Sequence, residues 1–123
     1  GHVRTTWLVA SKDNWPQAAK LGLSMSLQET KSGGIHYFAY EHSHNYRQIQ
    51  VKFLEAVESL NPDNIVAIIN EHPFHVDALI QLSELCKLSE DLAMAAELVE
   101  RSLYSLECSF HPLFNVVVCF FSC

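Results

Sequence analysis

Residues 59–79, SLNPDNIVAIINEHPFHVDAL, contain two proline-marked turns with a short apolar segment between them. At the first turn, Asn61 is suited to cap a helix N-terminus. Pro62 fits the first helical position, because the backbone N–H that proline lacks would have no partner within the helix there. At the second turn, His72-Pro73 interrupts the helix, because proline cannot continue the helical hydrogen-bond ladder. We therefore predict a short helix from Pro62 to about residue 70.

Apolar residues at spacings of three and four predict a helix before this segment and two helices after it. The first begins after Ser43, whose hydroxyl is a good N-cap. The third ends near Leu88-Ser89 and the fourth begins at about Glu90. The residues predicted to face inward are Tyr46, Ile49, Phe53, Val57 and Leu60 in the first helix, Val76, Leu79, Leu82, Leu85 and Cys86 in the third, and Leu92, Ala95, Ala96, Val99, Leu103 and Leu106 in the fourth.

The last two helices fit a tetratricopeptide-like pattern. Leu79 and Leu82 occupy its large apolar positions, while Ala95 and Ser102 are small where two helices must approach closely. The sequence thus predicts a mostly α fold of antiparallel helical hairpins, of the tetratricopeptide-like or α-solenoid type. Two such units are fewer than the roughly three that a solenoid needs, so we expect further repeats to follow and read the chain as an excerpt.

Before the helices, the sequence predicts an extended element. Residues 1–34 form an irregular lead-in that includes Trp7 and Trp15, and residues 35–40 are short and aromatic after a glycine pair. Residues 27–30 are the candidate partner of this strand in a hairpin. We divide the chain into the lead-in (1–34), a helical repeat-like domain (35–114) and an apolar tail (115–123).

Composition narrows the function classes. The net charge of -6 argues against direct binding of nucleic acid, because affinity for phosphates comes largely from Lys and Arg. The four cysteines follow no disulfide or zinc pattern, which favours a reducing compartment. No apolar run approaches the roughly 18 residues needed to span a bilayer, so we expect no membrane partner.

Candidate chemistry is sparse. Seven histidines invite a metal hypothesis, but the clusters at residues 42–44 and 72–75 lack ligand spacing. Cys108 and His111 are three residues apart and form the strongest thiol-catalysis candidate, although Cys near apolar stripes is usually a small core residue. We expect no enzyme activity, no metal and no cofactor. Two binding surfaces are also conceivable. The acidic residues of the last two helices could bind a basic partner, and an aromatic cluster could form a peptide groove; this cluster is Tyr37, Phe38, Tyr40 and Tyr46. For the cluster, packing of the strand onto the first helix is the favoured interpretation.

Four motifs resemble one known family. They are FAYEHS (38–43), AVESL (56–60), HPFHVDAL (72–79) and LYSLECSFHPLF (103–114). Together with most of the chain from residue 5 onward, they are similar to the central region of the transcription factor 25 family, known in fungi as ribosome quality control complex subunit 1. The motif residues to which the resemblance assigns no role are Glu41, His42, Ser43, His72, Pro73, His75, Asp77, Glu107, Cys108, His111 and Pro112.

The resemblance implies a non-catalytic adaptor of the cytosol and nucleus. Its expected partners are the large ribosomal subunit carrying a stalled nascent chain, the listerin-type ubiquitin ligase and the p97/Cdc48 unfoldase. The alternative is a transcriptional regulator that acts through protein contacts in the nucleus. A metal-dependent or thiol enzyme is the weakest option.

The tail is expected to depart from the family after Phe114. Residues 115–123, NVVVCFFSC, are apolar and uncharged, which suggests a truncated or alternatively spliced product or a mispredicted exon boundary. Such a segment is prone to aggregation. We expect it to fold back onto the fourth helix in dilute solution and to self-associate at higher concentration.

Overall fold

The computed structural model describes residues 8–16 and 22–110. Within these ranges an antiparallel hairpin is followed by four helices, so the predicted mostly helical fold with a short hairpin is confirmed. The tetratricopeptide-like or solenoid type stays a prediction. The elements are β1 (Leu23–Lys31), β2 (Ile35–His42), α1 (His44–Glu58), α2 (Pro62–Glu71), α3 (Val76–Leu88) and α4 (Leu92–Cys108).

The helix starts follow local capping. The Ser43 hydroxyl accepts a bond of 3.1 Å from the Tyr46 N–H at the start of α1, and Asn61 caps α2 with Pro62 in the first turn, as predicted. The fourth helix begins later than expected. Glu90 has a left-handed φ of 63°, which ends the preceding helix, and the side chain of Asp91 caps α4.

The hairpin is longer than the predicted pairing of residues 27–30. Leu23 pairs with His42 at one end and Lys31 with Ile35 at the other, with a bulge between Leu27 and Glu29. Gly33 and Gly34 have φ values of 90° and 76°, a conformation that glycine adopts without a Cβ clash. Since β1 lies in the predicted lead-in and β2 in the predicted helical domain, the hairpin joins the two; the domain boundaries themselves stay a prediction.

All four helices contribute to one core. Burial of a large apolar side chain is worth roughly 1.5–3 kcal/mol, and Leu79 of α3 is fully buried. Leu79 and Ala95 are buried as predicted, whereas Leu82 and Val99 are half-buried. The main core cluster is Ile49, Phe53, Ala56, Ile65, Ile68, Ile69, Ala78, Leu79 and Leu98.

The predicted inner face of α4 is wrong in part. Leu92 is 67% exposed, Leu103 is 40% exposed, and Ala96 is exposed as well. The buried side instead carries Leu98 and small residues, because α3 and α4 form the most closely packed helix pair and small side chains allow that approach. The buried stripe consists of Ala95, Leu98, Ser102 and Ser105.

Leu60 was also predicted to face inward and is 90% exposed. It lies beyond the end of α1, in the turn before Asn61, with a φ of 56°. The helical spacing that assigned it to the inner face therefore no longer applies at this position.

None of the helices in the described part of the chain is both long enough and apolar enough to cross a membrane.

Candidate functional site

The HPFHVDAL motif forms a buried polar corner at the start of α3. His75 is completely buried, and its Nδ1 accepts a bond of 3.2 Å from the Ala78 N–H, so the imidazole is the N-cap of the helix. This bond requires the proton to be on Nε2, which then donates to Gln50 Oε1 at 2.5 Å. The Gln50 amide in turn donates to Asp77 Oδ2 at 2.6 Å. Both nitrogens of His75 are thus occupied within the fold.

The environment of His75 keeps it neutral. Burial lowers the pKa of His75 from 6.5 to about 4, since a charged imidazole would lose its hydration. The carboxylate of Asp77 opposes this shift, and the nearby His72 and His42 add to it. A neutral capping histidine with two satisfied nitrogens is a structural group.

Aromatic contacts extend this corner toward the hairpin. The His75 ring lies 5.2 Å from the ring of Tyr46 and 5.5 Å from that of Phe53. Tyr46 in turn contacts the ring of His42, at the end of β2, at 4.7 Å. Burial raises the pKa of Tyr46. The favoured packing of the strand onto α1 therefore occurs through His42 and Tyr46, whereas Tyr37 is 47% exposed.

The junction between the lead-in and α1 is also tight. The Ser43 N–H donates to the Gly22 carbonyl at 2.8 Å. Gly22 has a φ of 82°, and a Cβ at this position would lie 2.1 Å from the Ser43 hydroxyl oxygen. The capping residue of α1 is thus held by a backbone that only glycine can provide.

A second polar corner lies at the C-terminal end of α4. Glu107 is 1% exposed, and its carboxylate accepts bonds from the Leu8 N–H at 2.8 and 2.9 Å and from the Val9 N–H at 3.1 Å. Bonds to a charged acceptor are stronger than neutral ones. The carboxylate therefore anchors the N-terminal segment to a helix about a hundred residues later in the chain.

Trp15 forms the other end of this anchor. It is 7% exposed and contacts Phe74 and Tyr104, with ring centroids 6.4 and 5.6 Å apart. Its indole N–H donates to Glu97 at 3.3 Å. Lys12 pairs with Glu100 at 3.3 Å. Residues 8–16 thus follow one face of α4, an arrangement that no local pattern in the sequence indicated.

The predicted motif residues therefore divide into two groups. His42, Ser43, His75 and Asp77 lie around the start of α3 and α1, while Glu107 and Cys108 lie at the end of α4. The side chain of Cys108 is hydrogen-bonded to Tyr104. Sequence reasoning missed Gln50, Trp15 and Ser105, whose hydroxyl donates to the Phe74 carbonyl at 2.9 Å; the signal for Gln50 was a polar residue next to the inner stripe of α1.

The other motif residues lie outside these corners. Glu41 accepts a bond of 2.7 Å from the Ser26 hydroxyl on the exposed hairpin. His72 ends α2 and lies 3.8 Å from Glu71, and Pro73 follows it in the turn. His111 and Pro112 lie outside the described residues, so the structure does not test the thiol-catalysis hypothesis for Cys108 and His111, which Sequence analysis disfavoured. In ranges 8–16 and 22–110, no three His, Cys, Asp or Glu side chains are grouped as a metal site requires.

The comparisons with known proteins agree with the motifs. The family model described as "Transcriptional repressor TCF25" matches residues 38–122, which is more than half of the chain. The chain belongs to this family. The match extends through residue 122 and so gives no support to the expected departure from the family after Phe114. The expected fold-back of residues 115–123 lies outside the described residues.

Three relatives illustrate the similarity. The human "Ribosome quality control complex subunit TCF25" is 54% identical over 92% of this chain, which covers 17% of the relative. "Ribosome quality control complex subunit 1" of Schizosaccharomyces pombe is 34% identical over 89% of this chain and 17% of the relative. "Probable transcription factor claV" of Ampulloclitocybe clavipes is 32% identical over 64% of this chain and 10% of the relative.

The chain thus spans less than a fifth of the length of the curated relatives it matches. No solved structure gives a match to it.

Proposed function

We propose that this chain is a non-catalytic adaptor module of ribosome-associated quality control. In this role it binds large ribosomal subunits that carry a stalled nascent chain. It then supports ubiquitylation by the listerin-type ligase and extraction by the p97/Cdc48 unfoldase, in the cytosol and nucleus. The observation that carries the proposal is the human relative, a named quality-control subunit that is 54% identical over 92% of this chain.

The geometry of the motif residues supports binding over catalysis. Both ring nitrogens of His75 are hydrogen-bonded within the protein, one to the start of α3 and the other to Gln50. The Glu107 carboxylate accepts hydrogen bonds from backbone N–H groups. These side chains hold elements of the fold in place. The side chains available to a partner are instead exposed ones. Val51 and Leu54 on α1 are apolar and more than half exposed.

A second candidate is a transcriptional regulator that holds a nuclear cofactor through the same helices. It is supported by the description of the family model and by the name of the Ampulloclitocybe relative. The two functions predict different cell fractions for the same folded chain.

The test is sedimentation from cells that express a translation-stalling reporter. The tagged chain should sediment with free large ribosomal subunits, in greater amount when the reporter is induced and in smaller amount at high salt. A Leu79→Asp variant is the matched control, since a charge at this fully buried position disrupts the fold and leaves composition almost unchanged.

Sedimentation of the folded chain no better than that of the Leu79→Asp variant would refute ribosome binding. Enrichment of the folded chain on chromatin, with none on large subunits, would establish the second candidate in its place.

A further inference from the structure

One side of α4 holds residues 8–16 along its length. The residues of this side span about 15 Å of the helix, at 1.5 Å per residue. Each of them contacts residues 8–16, and they are Glu97, Glu100, Arg101, Tyr104 and Glu107. We name this side of the helix the α4 slot. The segment in it runs antiparallel to the helix, since Leu8 lies at Glu107 and Trp15 at Glu97.

One end of the α4 slot recognises backbone. The Glu107 carboxylate accepts bonds from two consecutive amides, those of Leu8 and Val9. This residue is 1% exposed, and a buried charge is costly unless it is hydrogen-bonded. Any extended segment without a proline at these two positions presents the same pair of N–H groups. This end of the slot therefore does not select for particular side chains.

The other end recognises an indole. Trp15 fills a recess against the rings of Phe74 and Tyr104, and its N–H donates to Glu97. The Arg101 guanidinium lies over the indole, 5.8 Å from the ring centroid, which is a favourable cation–π distance. Tryptophan provides the apolar surface, the donor and the electron-rich ring face that this recess uses.

A turn in the segment adds a second side chain to the recognition. The Trp15 N–H donates to the Lys12 carbonyl at 3.0 Å. This turn brings the Lys12 ammonium to within 3.3 Å of the Glu100 carboxylate. The side-chain selectivity of the α4 slot is therefore for a lysine and a tryptophan three residues apart.

The segment is separable from the core. Trp15 is the one buried residue in the range 8–16, and residues 10–14 are exposed. The main core cluster is built from the four helices and contains no residue of this range. Release of the segment therefore uncovers the α4 slot and leaves the helical core in place.

We propose that the α4 slot is a binding site for linear peptide segments of the Lys-x-x-Trp type, and that residues 8–16 are its tethered occupant. A partner that presents this chemistry in an extended segment binds α4 once residues 8–16 are displaced. The tether makes the site selective, because the effective concentration of the occupant is on the order of millimolar and a weaker competitor does not displace it.

The size of the slot favours a linear segment over a folded partner. A slot about 15 Å long and about 10 Å wide offers on the order of 150 Å². A stable interface between two folded partners buries about 800 Å² on each of them. The occupant is therefore a short segment, as residues 8–16 are.

The first test uses the unchanged chain and a peptide of residues 8–16, LVASKDNWP. The N-terminus of the peptide is acetylated, so that its first residue keeps an amide N–H. Because the peptide and the tethered occupant have the same sequence, their intrinsic affinities cancel. Displacement then depends on the peptide concentration relative to the effective concentration, and about 5 mM peptide should displace the occupant in most chains.

The readout is amide hydrogen exchange in an isotope-labelled chain with unlabelled peptide. The peptide should speed exchange at Leu8 and Val9 of the chain at least about tenfold, because their N–H groups leave Glu107. Exchange at Leu79, whose N–H is bonded within the core, should stay unchanged.

Two control peptides separate the ends of the slot. The Val9→Pro peptide lacks one of the two N–H groups that Glu107 accepts, and the Trp15→Ala peptide lacks the indole. Each should leave the exchange rates within about twofold of those without peptide. Equal acceleration by all three peptides, or none by the original one, would overturn the proposal.

A second measurement uses a Trp15→Ala chain, in which the tethered occupant is weakened. Its circular dichroism should match that of the unchanged chain, and loss of the fold would overturn the proposal, since the segment would not be separable. A dye-labelled peptide of residues 8–16 should bind this chain at least about tenfold more tightly than the unchanged chain, as measured by fluorescence anisotropy.

Asp13→Ala is the matched control, because Asp13 is an exposed residue of the same segment. This chain should bind the peptide as weakly as the unchanged chain does. Equal peptide affinity for the Trp15→Ala and Asp13→Ala chains would overturn the proposal.

The oligomeric state distinguishes a tethered occupant from an exchanged one. A dimer of the unchanged chain that the peptide dissociates would place residues 8–16 of one copy on α4 of another, and would overturn the tethered arrangement. None of these measurements involves ribosomes, so their outcome is independent of that of the proposed function.

Discussion

Acidification should destabilise the protein through His75. The pKa of this group is 6.5 in an unfolded chain and about 4 in the folded protein. The folded pKa is the lower one, so the unfolded state binds more protons at any pH between these values, and the free energy of unfolding falls as the pH drops from 6.5 to 4. At 1.36 kcal/mol per pKa unit, the full loss is about 3 kcal/mol.

The shift arises mainly from burial, and the charged and titratable neighbours of His75 modify it. Asp77 favours the protonated ring, while His72 and His42 disfavour it.

The assay is urea unfolding at about pH 7.5 and about pH 5, where linkage predicts that about 2 kcal/mol of the total is lost. Other groups also titrate in this range, so the loss is compared with that of a His75→Asn variant. Asparagine keeps an acceptor for the helix cap and has no ring to protonate. The unchanged protein should lose about 2 kcal/mol more than the variant between the two pH values. If both lose the same amount, the buried neutral histidine is not the cause and the reasoning is refuted.

Three further changes test the packing and the anchors. Ala95→Trp should lower the free energy of unfolding by about 1–3 kcal/mol or more in urea melts, because the close contact of α3 with α4 has no room for an indole. Glu107→Gln should cost about 1–3 kcal/mol and speed amide hydrogen exchange at Leu8, since the charged acceptor is lost. Gly22→Ala should lower the melting temperature, because the new Cβ meets the Ser43 hydroxyl and the φ is left-handed.

Each of these changes has a matched control. Ala93→Trp is at an exposed position of the same helix, and Glu100→Gln removes a carboxylate that makes only a half-exposed ion pair. Gly33→Ala keeps the left-handed strain but has nothing within 4 Å of the new Cβ. If a control variant loses as much stability as the variant it is matched to, the burial or contact proposed for that variant is not the cause of its loss of stability.

The sequence alone determined where the first two helices, α1 and α2, begin. Ser43, Asn61 and Pro62 act within three residues of their own position, through a cap bond or a missing N–H. Such effects do not depend on the rest of the fold, so they can be read from the chain directly. The family motifs are short contiguous segments, so they too can be recognised without the fold, and the comparison with known proteins confirmed the family.

The roles of the motif residues were not available from the sequence. His75 looked like a metal or turn histidine, and only the position of Gln50, on another helix, makes its Nε2 a structural donor. Glu107 was only a family-motif residue to which the sequence assigned no role. Its role depends on Leu8 and Val9, which are far away in the chain and carry no periodic signal.

The repeat pattern in the sequence correctly placed the small residues Ala95 and Ser102 of α4 at a close helix contact, but the exposure of the larger apolar residues on the same helix was decided by tertiary structure. The sequence offers an apolar line through Leu92, Ala96 and Leu103 beside a smaller one through Ala95 and Ser102. Hydrophobicity alone favours the first line, and the fold buries the second. Close approach of α3 requires small residues at the contact, so packing geometry overrides the gain from burying the larger side chains.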